Sequence, residues 1–380
     1  MLRQTFKKIV VALLTLEARA VLQKYKPKIV AITGSVGKTS AKDAIFSVLA
    51  QKYFVRKSEK SFNSEVGLPL TILGVPNGWN SPLRWTQNLF DGLFLIIMPA
   101  RYPEWLVLEI GADRPGDIRS AAKWLQTDVV VITRLPEVPV HVEYFNSPDE
   151  VIEEKASLIK SLKKDGVLVL YGDDKSLLAL AARAGRAITF GFSDSADVRG
   201  NKPEILPGIG MKAEIIFNDI SHPVEVVGAA GAHSLYPILA AAAVGRALRI
   251  SPQEIVRGLG SYAPPPGRMR LLQGIKETTI IDDSYNSSPA AALAALDTLQ
   301  GDALKSHGVK ASPLRRVAVL GDMLELGKYS AEEHRKVGKR AAKACDLLFT
   351  VGFRARHIAE GALDEGLNES KIFQYEDSRV

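Results

Sequence analysis

A chain of 380 residues with 46% hydrophobic and 24% charged positions has the apolar material for two or three packed cores, which excludes a disordered protein. Its single cysteine, Cys345, excludes an intramolecular disulfide framework and a cysteine-based metal site. The net charge of +7 would suit a polyanion, but the basic residues are scattered and rarely interleaved with aromatics, so nucleic acid is not the expected partner and a nucleotide or anionic substrate fits as well.

The first predicted element is an amphipathic helix over residues 3–24. Lys7 and Lys8, the apolar run Ile9 to Leu16 and Ala18-Arg19-Ala20 imitate a signal peptide. Glu17 ends that run, which is too short for the roughly 20 residues a bilayer requires, so the helix is expected to pack on the first domain. A membrane surface is the second reading for its Leu/Ile/Val face and lysines.

Next, an apolar strand from Ile29 to Thr33 stops at Gly34-Ser35-Val36-Gly37-Lys38-Thr39-Ser40, and a helical pattern runs from Lys38 to Gln51. Strand, glycine loop and helix together make a phosphate cradle. Glycines let backbone N–H groups approach phosphate oxygens, and the helix start adds partial positive charge. Lys38 is expected to reach the β/γ-phosphates of ATP, and Thr39 to ligate Mg2+. The match is to the short form G-x-x-G-K-T, because the long form would place glycine where Ile32 stands.

Strands follow at Leu106 to Ile110, Val129 to Thr133, Val167 to Tyr171 and Ala187 to Phe192, with helices at Pro148 to Leu162 and Lys175 to Arg183. That alternation predicts an α/β fold with a mainly parallel sheet. Glu109 sits near the carboxyl end of its strand, the edge at which open sheets bind ligands; it reads either as an Mg2+ ligand or as the partner of Arg114. His141 in the following loop and Lys155 on the next helix read first as a structural histidine and a solvated lysine, with a site role as the second reading. A hairpin is expected from Lys212 to Val227, turning near Asp219-Ile220-Ser221, and then a helix from His233 to Arg249.

The prolines of Ser261 to Arg270 make a stiff connector, and the domain boundary is placed there. Beyond it a second α/β unit is predicted: strand Thr278 to Asp283, helix Ala290 to Leu299, strand Arg316 to Gly321, helix Ala331 to Ala344, strand Leu347 to Val351 and helix Ala355 to Leu363. Asp282 and Asp283 end its first strand at the ligand-binding edge, where they would face nucleotide or metal, and Asp322 repeats the arrangement. His334 reads as either a site residue or a surface one.

Seven blocks in this order resemble the Mur ligase family: "TGSVGKTS", "SFNSEVGLPLTIL", "VLEIGADRPGDI", "VHVEYFNSPDEVIEEKASLI", "PPPGRMR", "IDDSYNSSPAAALAALDTL" and "AVLGDMLELGKYSAEEH". The resemblance implies a P-loop-containing central domain over residues 27–262 and a smaller Rossmann-like domain over residues 263–380, after a helix in residues 1–26. It implies that Thr39, Glu109 and His141 serve Mg2+ and that Lys155 is carbamylated to become an anionic metal ligand. It implies that Arg268 and the Asp282-Asp283 region close on ATP. The expected activity is ATP-dependent amide formation in peptidoglycan precursor synthesis, through an acyl phosphate. The expected partners are a UDP-MurNAc-peptide-like acceptor and a D-alanyl-D-alanine-type dipeptide, with the enzyme a cytoplasmic monomer.

The sequence departs from the family pattern in four places. Only about 25 residues precede the ATP domain, where a UDP-sugar domain is usual. The usual closing basic segment is missing, so a truncated chain is expected. Thr133-Arg134 replaces the common Thr-Asn, and His233-Ser234 with Pro237 replaces His-Asn-x-x-Asn. A nucleotide-binding protein with little ligase activity, working with a partner, is the alternative these gaps suggest. A P-loop motor or transporter is disfavoured by the lack of a transmembrane pattern.

Overall fold

The computed structural model describes residues 2–59, 65–206, 209–301 and 315–379, so Ser61 to Ser64 of the second family-like block lie outside the described residues. In chain order the first part comprises α1 (Leu2–Tyr25), β1 (Lys28–Thr33), α2 (Lys38–Leu49), β2 (Val55–Lys57), α3 (Gly67–Leu73), α4 (Pro82–Ile97), β3 (Trp105–Glu109), α5 (Asp117–Ala122), β4 (Thr127–Ile132), α6 (Pro148–Ala156), β5 (Leu162–Tyr171), α7 (Lys175–Leu178), β6 (Ala187–Gly191), β7 (Val198–Leu206), β8 (Gly210–Phe217), β9 (Ile220–Val227), α8 (Leu235–Ala247) and α9 (Pro252–Gly260). Nine strands form one sheet in the order β2-β3-β1-β4-β5-β6-β7-β8-β9. It is parallel as far as β7 and antiparallel from β7 to β9.

β1, β3 and β4 are buried on both faces, which is why they read as unbroken Val/Ile/Leu runs. The register places Ile32 beside Glu109 and Thr33 beside Ile132. Three strand exits therefore stand side by side at the carboxyl edge of the sheet: the glycine loop, Glu109 and Thr133-Arg134. The predicted helix at Pro148 to Leu162 is α-helical only to Ala156, and Ser157–Ser161 tightens into a 3-10 turn. The expected hairpin is β8–β9, with β7 as an unpredicted third strand.

After the proline connector come β10 (Arg270–Gln273), β11 (Thr279–Asp282), α10 (Pro289–Gln300), β12 (Val317–Gly321), α11 (Ser330–Ala344), β13 (Leu347–Val351), α12 (Arg356–Asp364) and β14 (Ile372–Tyr375). β12, β13 and β14 make a parallel sheet packed on helices, with its own core around Leu296, Val337, Leu348 and Ile358. The expectation for the strand ending at Asp282 needs correction. β11 pairs antiparallel with β10 in a separate two-stranded sheet, so Asp282 ends a hairpin strand rather than the carboxyl edge of the parallel sheet. Its short Thr-Ile-Ile pattern fits either environment, and tertiary pairing decides.

α1 packs on the first core through Val10, Leu14, Ala18 and Val21, as the packed-helix reading expected. Lys24 Nζ donates to the carbonyls of Leu95, Ile96 and Met98 at 3.1, 2.9 and 2.6 Å, closing the C-terminus of α4 with a cation. Glu17 enters the seam between these helices opposite Gly92, where a Cβ would lie 2.1 Å from Glu17 Oε2. That oxygen is buried without a hydrogen-bond partner, and burial pushes the carboxyl up to about 7. The unfolded chain releases this proton near the ordinary carboxylate range, whereas the folded chain holds it to about pH 7, so the group destabilises progressively as pH rises through that window. Glu17→Gln is therefore expected to raise the melting temperature more at pH 8 than at pH 5, as thermal denaturation at the two pH values would show.

Candidate functional site

The glycine loop is set by two positive-φ residues. Gly34 has φ of 141°, and a Cβ there would lie 2.0 Å from Thr133 Oγ1; Gly37, with φ of 84°, caps α2. Ser35 N–H and Val36 N–H both donate to the Arg134 carbonyl, at 3.1 and 3.2 Å. The first helical hydrogen bond of α2 is Ala41 N–H to Gly37 O, at 2.9 Å. Lys38, Thr39 and Ser40 precede it, so their N–H groups are the donors a helix start offers to an anion. Gly34→Ala is expected to weaken nucleotide binding at least tenfold, with partial recovery in the Gly34→Ala/Thr133→Ala double variant, as calorimetric titration would measure.

Behind the loop lies a set of buried charges. Glu109 is 1% exposed; its Oε1 accepts from Thr39 Oγ1 at 3.3 Å, while its Oε2 has no hydrogen-bond partner. Arg114 is not its partner: that guanidinium lies 3.7 Å over the Tyr144 ring. The cation nearest Glu109 is Lys42, also buried, with Nζ 3.9 Å from Oε2 and 3.7 Å from Asp43. Lys38 feels Glu109 and Asp113 as stabilising charges, but burial and the neighbouring Arg268 lower its pKa.

Lys155 is not the solvated helix lysine of the bland reading. It is fully buried on α6, its Nζ has no hydrogen-bond partner, and burial together with Lys38 lowers it to about 7. A large fraction is thus neutral near physiological pH, and a neutral amine is the form that adds to CO2. His141 takes a left-handed backbone with φ of 72°, and its ring is mostly covered, with Nδ1 buried. Burial, Lys155 and Lys38 lower it to about 4, so the ring is neutral and able to ligate a metal.

The second half of the chain supplies the other wall. Glu325, from the loop after β12, brings Oε2 to 2.6 Å from His141 Nδ1, too far off the ring N–H direction for a hydrogen bond, and its own pKa is raised by burial and by Asp113 and Glu143. That loop is fixed by His334, which is fully buried and so is not the surface residue allowed by the sequence. Its Nδ1–H donates to Ser330 O at 2.6 Å, leaving Nε2 to accept from Met323 N–H at 3.0 Å. Asp322 accepts from Ala355 N–H at 2.7 Å, at the start of α12.

Arg268 and Asp283 line a cleft with Val36, Gly37, Ser40 and Arg134. Arg268 stacks over Tyr285 at 4.4 Å, while Asp283 accepts from Met269 N–H at 3.1 Å and is pushed up to about 6 by burial. Asp282 is turned instead to Gly267 and Ser284, holding the connector. The far end of the cleft is aromatic: Tyr236 meets Tyr171 and Phe192 edge-on, with centroids 5.0 Å apart in each pair, and His233 lies alongside at 5.8 Å. An apolar, aromatic slot continuous with a phosphate cradle has the shape and chemistry for a purine nucleotide.

Among the described residues no three His, Cys, Asp or Glu side chains converge to hold a metal ion. A divalent cation placed here would draw on the Thr39 hydroxyl, on Glu109 Oε2, which has no hydrogen-bond partner, and on the neutral His141 ring. A carbamate on Lys155 would add the missing oxygen anion, and the orphaned Nζ fits that modification. Sequence reasoning missed Lys42 and Tyr236, which carry no local motif, and gave no role to Glu325, although it stands in the family-like block that begins at Ala318.

Comparison with known proteins gives two family matches: the Mur ligase middle domain over residues 88–245, and the Mur ligase, glutamate ligase domain over residues 267–379. The chain is 30% identical over 348 residues to the UDP-N-acetylmuramoyl-tripeptide--D-alanyl-D-alanine ligase of Bacillus subtilis, covering 91% of this chain and 67% of that protein. To the Synechocystis ligase of the same name it is 28% identical, covering 87% of this chain and 63% of the other. The chain thus spans about two thirds of the length of the curated relatives it matches. A MurF ligase from Thermotoga maritima, solved in complex with ADP, superposes with a TM-score of 0.75 at 27% identity, covering 97% of this chain and 80% of that one.

Proposed function

This chain belongs to the Mur ligase family, and on that premise we propose that it is an ATP-dependent ligase joining the amine of a D-alanyl-D-alanine-type dipeptide to the carboxylate of a UDP-MurNAc-peptide acceptor. The observation that carries the reading is a pair of buried atoms behind the phosphate loop, Lys155 Nζ and Glu109 Oε2, each without a hydrogen-bond partner, where a carbamate and a metal would fit.

In this reading Lys38 and the N–H groups opening α2 hold the β- and γ-phosphates, with Ser35, Val36 and Gly37 shaping the loop and Gly34 permitting its approach to Thr133. The aromatic slot takes the base, and Arg268 and Asp283 close from the second half of the chain. Bound Mg2+, held by Thr39, Glu109, His141 and carbamylated Lys155, would supply Lewis-acid stabilisation of the transferring phosphoryl group. An acceptor carboxylate oxygen attacks the γ-phosphorus, and the bond to the ADP oxygen breaks. The dipeptide amine then adds to the acyl phosphate and loses a proton, and inorganic phosphate leaves as the amide forms. Two anions must meet for the first step, so Lys38 and Arg268 screen their repulsion. Closure of residues 263–380 over residues 27–262 would keep water from the acyl phosphate. The same reading takes the enzyme as a monomer working in the cytoplasm, where ATP and UDP-linked precursors are made.

The test is a coupled ADP-release assay with UDP-MurNAc-tripeptide and D-alanyl-D-alanine, with mass spectrometry of the product. ADP release is expected only when both co-substrates are present. Rapid ATP hydrolysis with neither of them would overturn the assignment.

A further inference from the structure

We propose that the outer face of the α1–α4 helix pair is a docking surface for an anionic lipid bilayer. α4 is apolar on both faces: Trp85, Leu89, Leu95 and Ile96 pack inward beside Asn88, which donates to Pro76 O at 2.7 Å, and Gly92, which meets Glu17, whereas Phe90, Leu93, Phe94 and Ile97 point to water. Those four recur at i, i+3, i+4 and i+7 and are 58, 44, 64 and 66% exposed, so they form one stripe along the helix. On the neighbouring α1, Ile9, Leu13 and Leu16 make a second exposed stripe. Glu17 against Gly92 and Lys24 against the last carbonyls of α4 fix the two helices side by side. An apolar surface of this extent marks an interaction site.

Charge selects the occupant. Arg3, Lys7, Lys8, Arg19, Lys24 and Lys26 lie in residues 1–26 against a single acid, Glu17, and Arg84 and Arg101 flank α4 against Asp91 alone. Nearly all of the chain's net charge of +7 is thus concentrated in these two segments. Cation-rich segments that also carry exposed apolar helical stripes match anionic headgroups above acyl chains. A second copy of the same face would set those cations against one another. Among the described residues no helix is long and apolar enough to cross a membrane, so the pair would lie in the interface plane, with the exposed Trp79 ahead of α4 at headgroup depth.

The test is flotation of the full chain with vesicles of phosphatidylcholine and phosphatidylglycerol at 7:3, against phosphatidylcholine alone. Binding is expected on the anionic vesicles, reduced at least tenfold by 1 M NaCl and at least tenfold by Phe94→Glu/Ile97→Glu, with circular dichroism and nucleotide affinity unchanged. Lys7→Glu/Lys8→Glu, which leaves the apolar stripes intact, is expected to reduce binding as well and serves if the first variant misfolds. Absence of flotation on anionic vesicles, or equal flotation of the wild type and both variants, overturns the proposal. So does a wild-type dimer in sedimentation velocity that Phe94→Glu/Ile97→Glu converts to monomer, because the face would then belong to a second copy.

Discussion

Lys155→Met is expected to cut ligation by about 10²–10³-fold, the scale of removing one preorganised electrostatic partner, while the protein folds and melts at or above the wild-type temperature. The two halves of this result come from the same atom. Methionine fills a similar volume and leaves no buried amine to desolvate, so a purely structural lysine would gain from the change and lose nothing in rate. The stability difference carries a pH signature in CO2-free buffer. Lys155 titrates at about 7 in the folded chain and near its ordinary value when unfolded, so the cost of burying its charge is full below pH 7 and fades as pH rises toward the unfolded value. The advantage of Lys155→Met should accordingly be widest in the acid range. Lys155→Ala leaves room for a small carboxylic acid, and added acetate or propionate is expected to restore part of its ADP-release rate. A Lys155→Met enzyme with wild-type turnover would remove the carbamate from the mechanism.

Lys38→Met is expected to be similarly damaging, lowering turnover by about 10³-fold. It also has an effect at a distance that a simple phosphate-binding lysine would not show. The charge of Lys38 is one of the forces that lowers both Lys155 and His141. Without it the Lys155 amine should hold its proton to higher pH, and the carbamate signal in 13C NMR under labelled CO2 should appear at higher pH than in the wild type. Lys38→Arg keeps the charge but not the compact ammonium, so it should preserve the carbamate while failing to restore turnover.

The phosphate loop was legible in the sequence because its chemistry is local: glycines at two fixed offsets, a lysine and a hydroxyl define a backbone shape before any tertiary contact exists. The parallel sheet was legible for a related reason, since strands buried on both faces must be apolar throughout. Lys155 and His141 were different. Their lowered pKa values arise chiefly from desolvation, which no neighbouring residue in the sequence announces, and only the family resemblance singled them out. Glu325 and His141 are separated by more than 180 positions, and their meeting depends on how the two halves of the chain pack. α4 escaped prediction because it is apolar on both faces, with Trp85, Leu89 and Ile96 inward and Phe90, Phe94 and Ile97 outward, so no single apolar stripe marks it as a helix. The expectation that Asp282 ends a strand at the ligand-binding edge fails because four residues of strand pattern do not specify a partner.

The bonds from Ser35 and Val36 to the Arg134 carbonyl have a thermodynamic implication for ligand capture. Two amides of the loop are already tethered to the exit of a central strand, so the recess keeps its shape with no guest inside. An arriving triphosphate then forfeits little of its affinity to ordering the host. Deuterium uptake at Ser35 and Val36 should be slow from the outset and scarcely change on nucleotide addition, whereas that at Lys38, Thr39 and Ser40 should fall sharply.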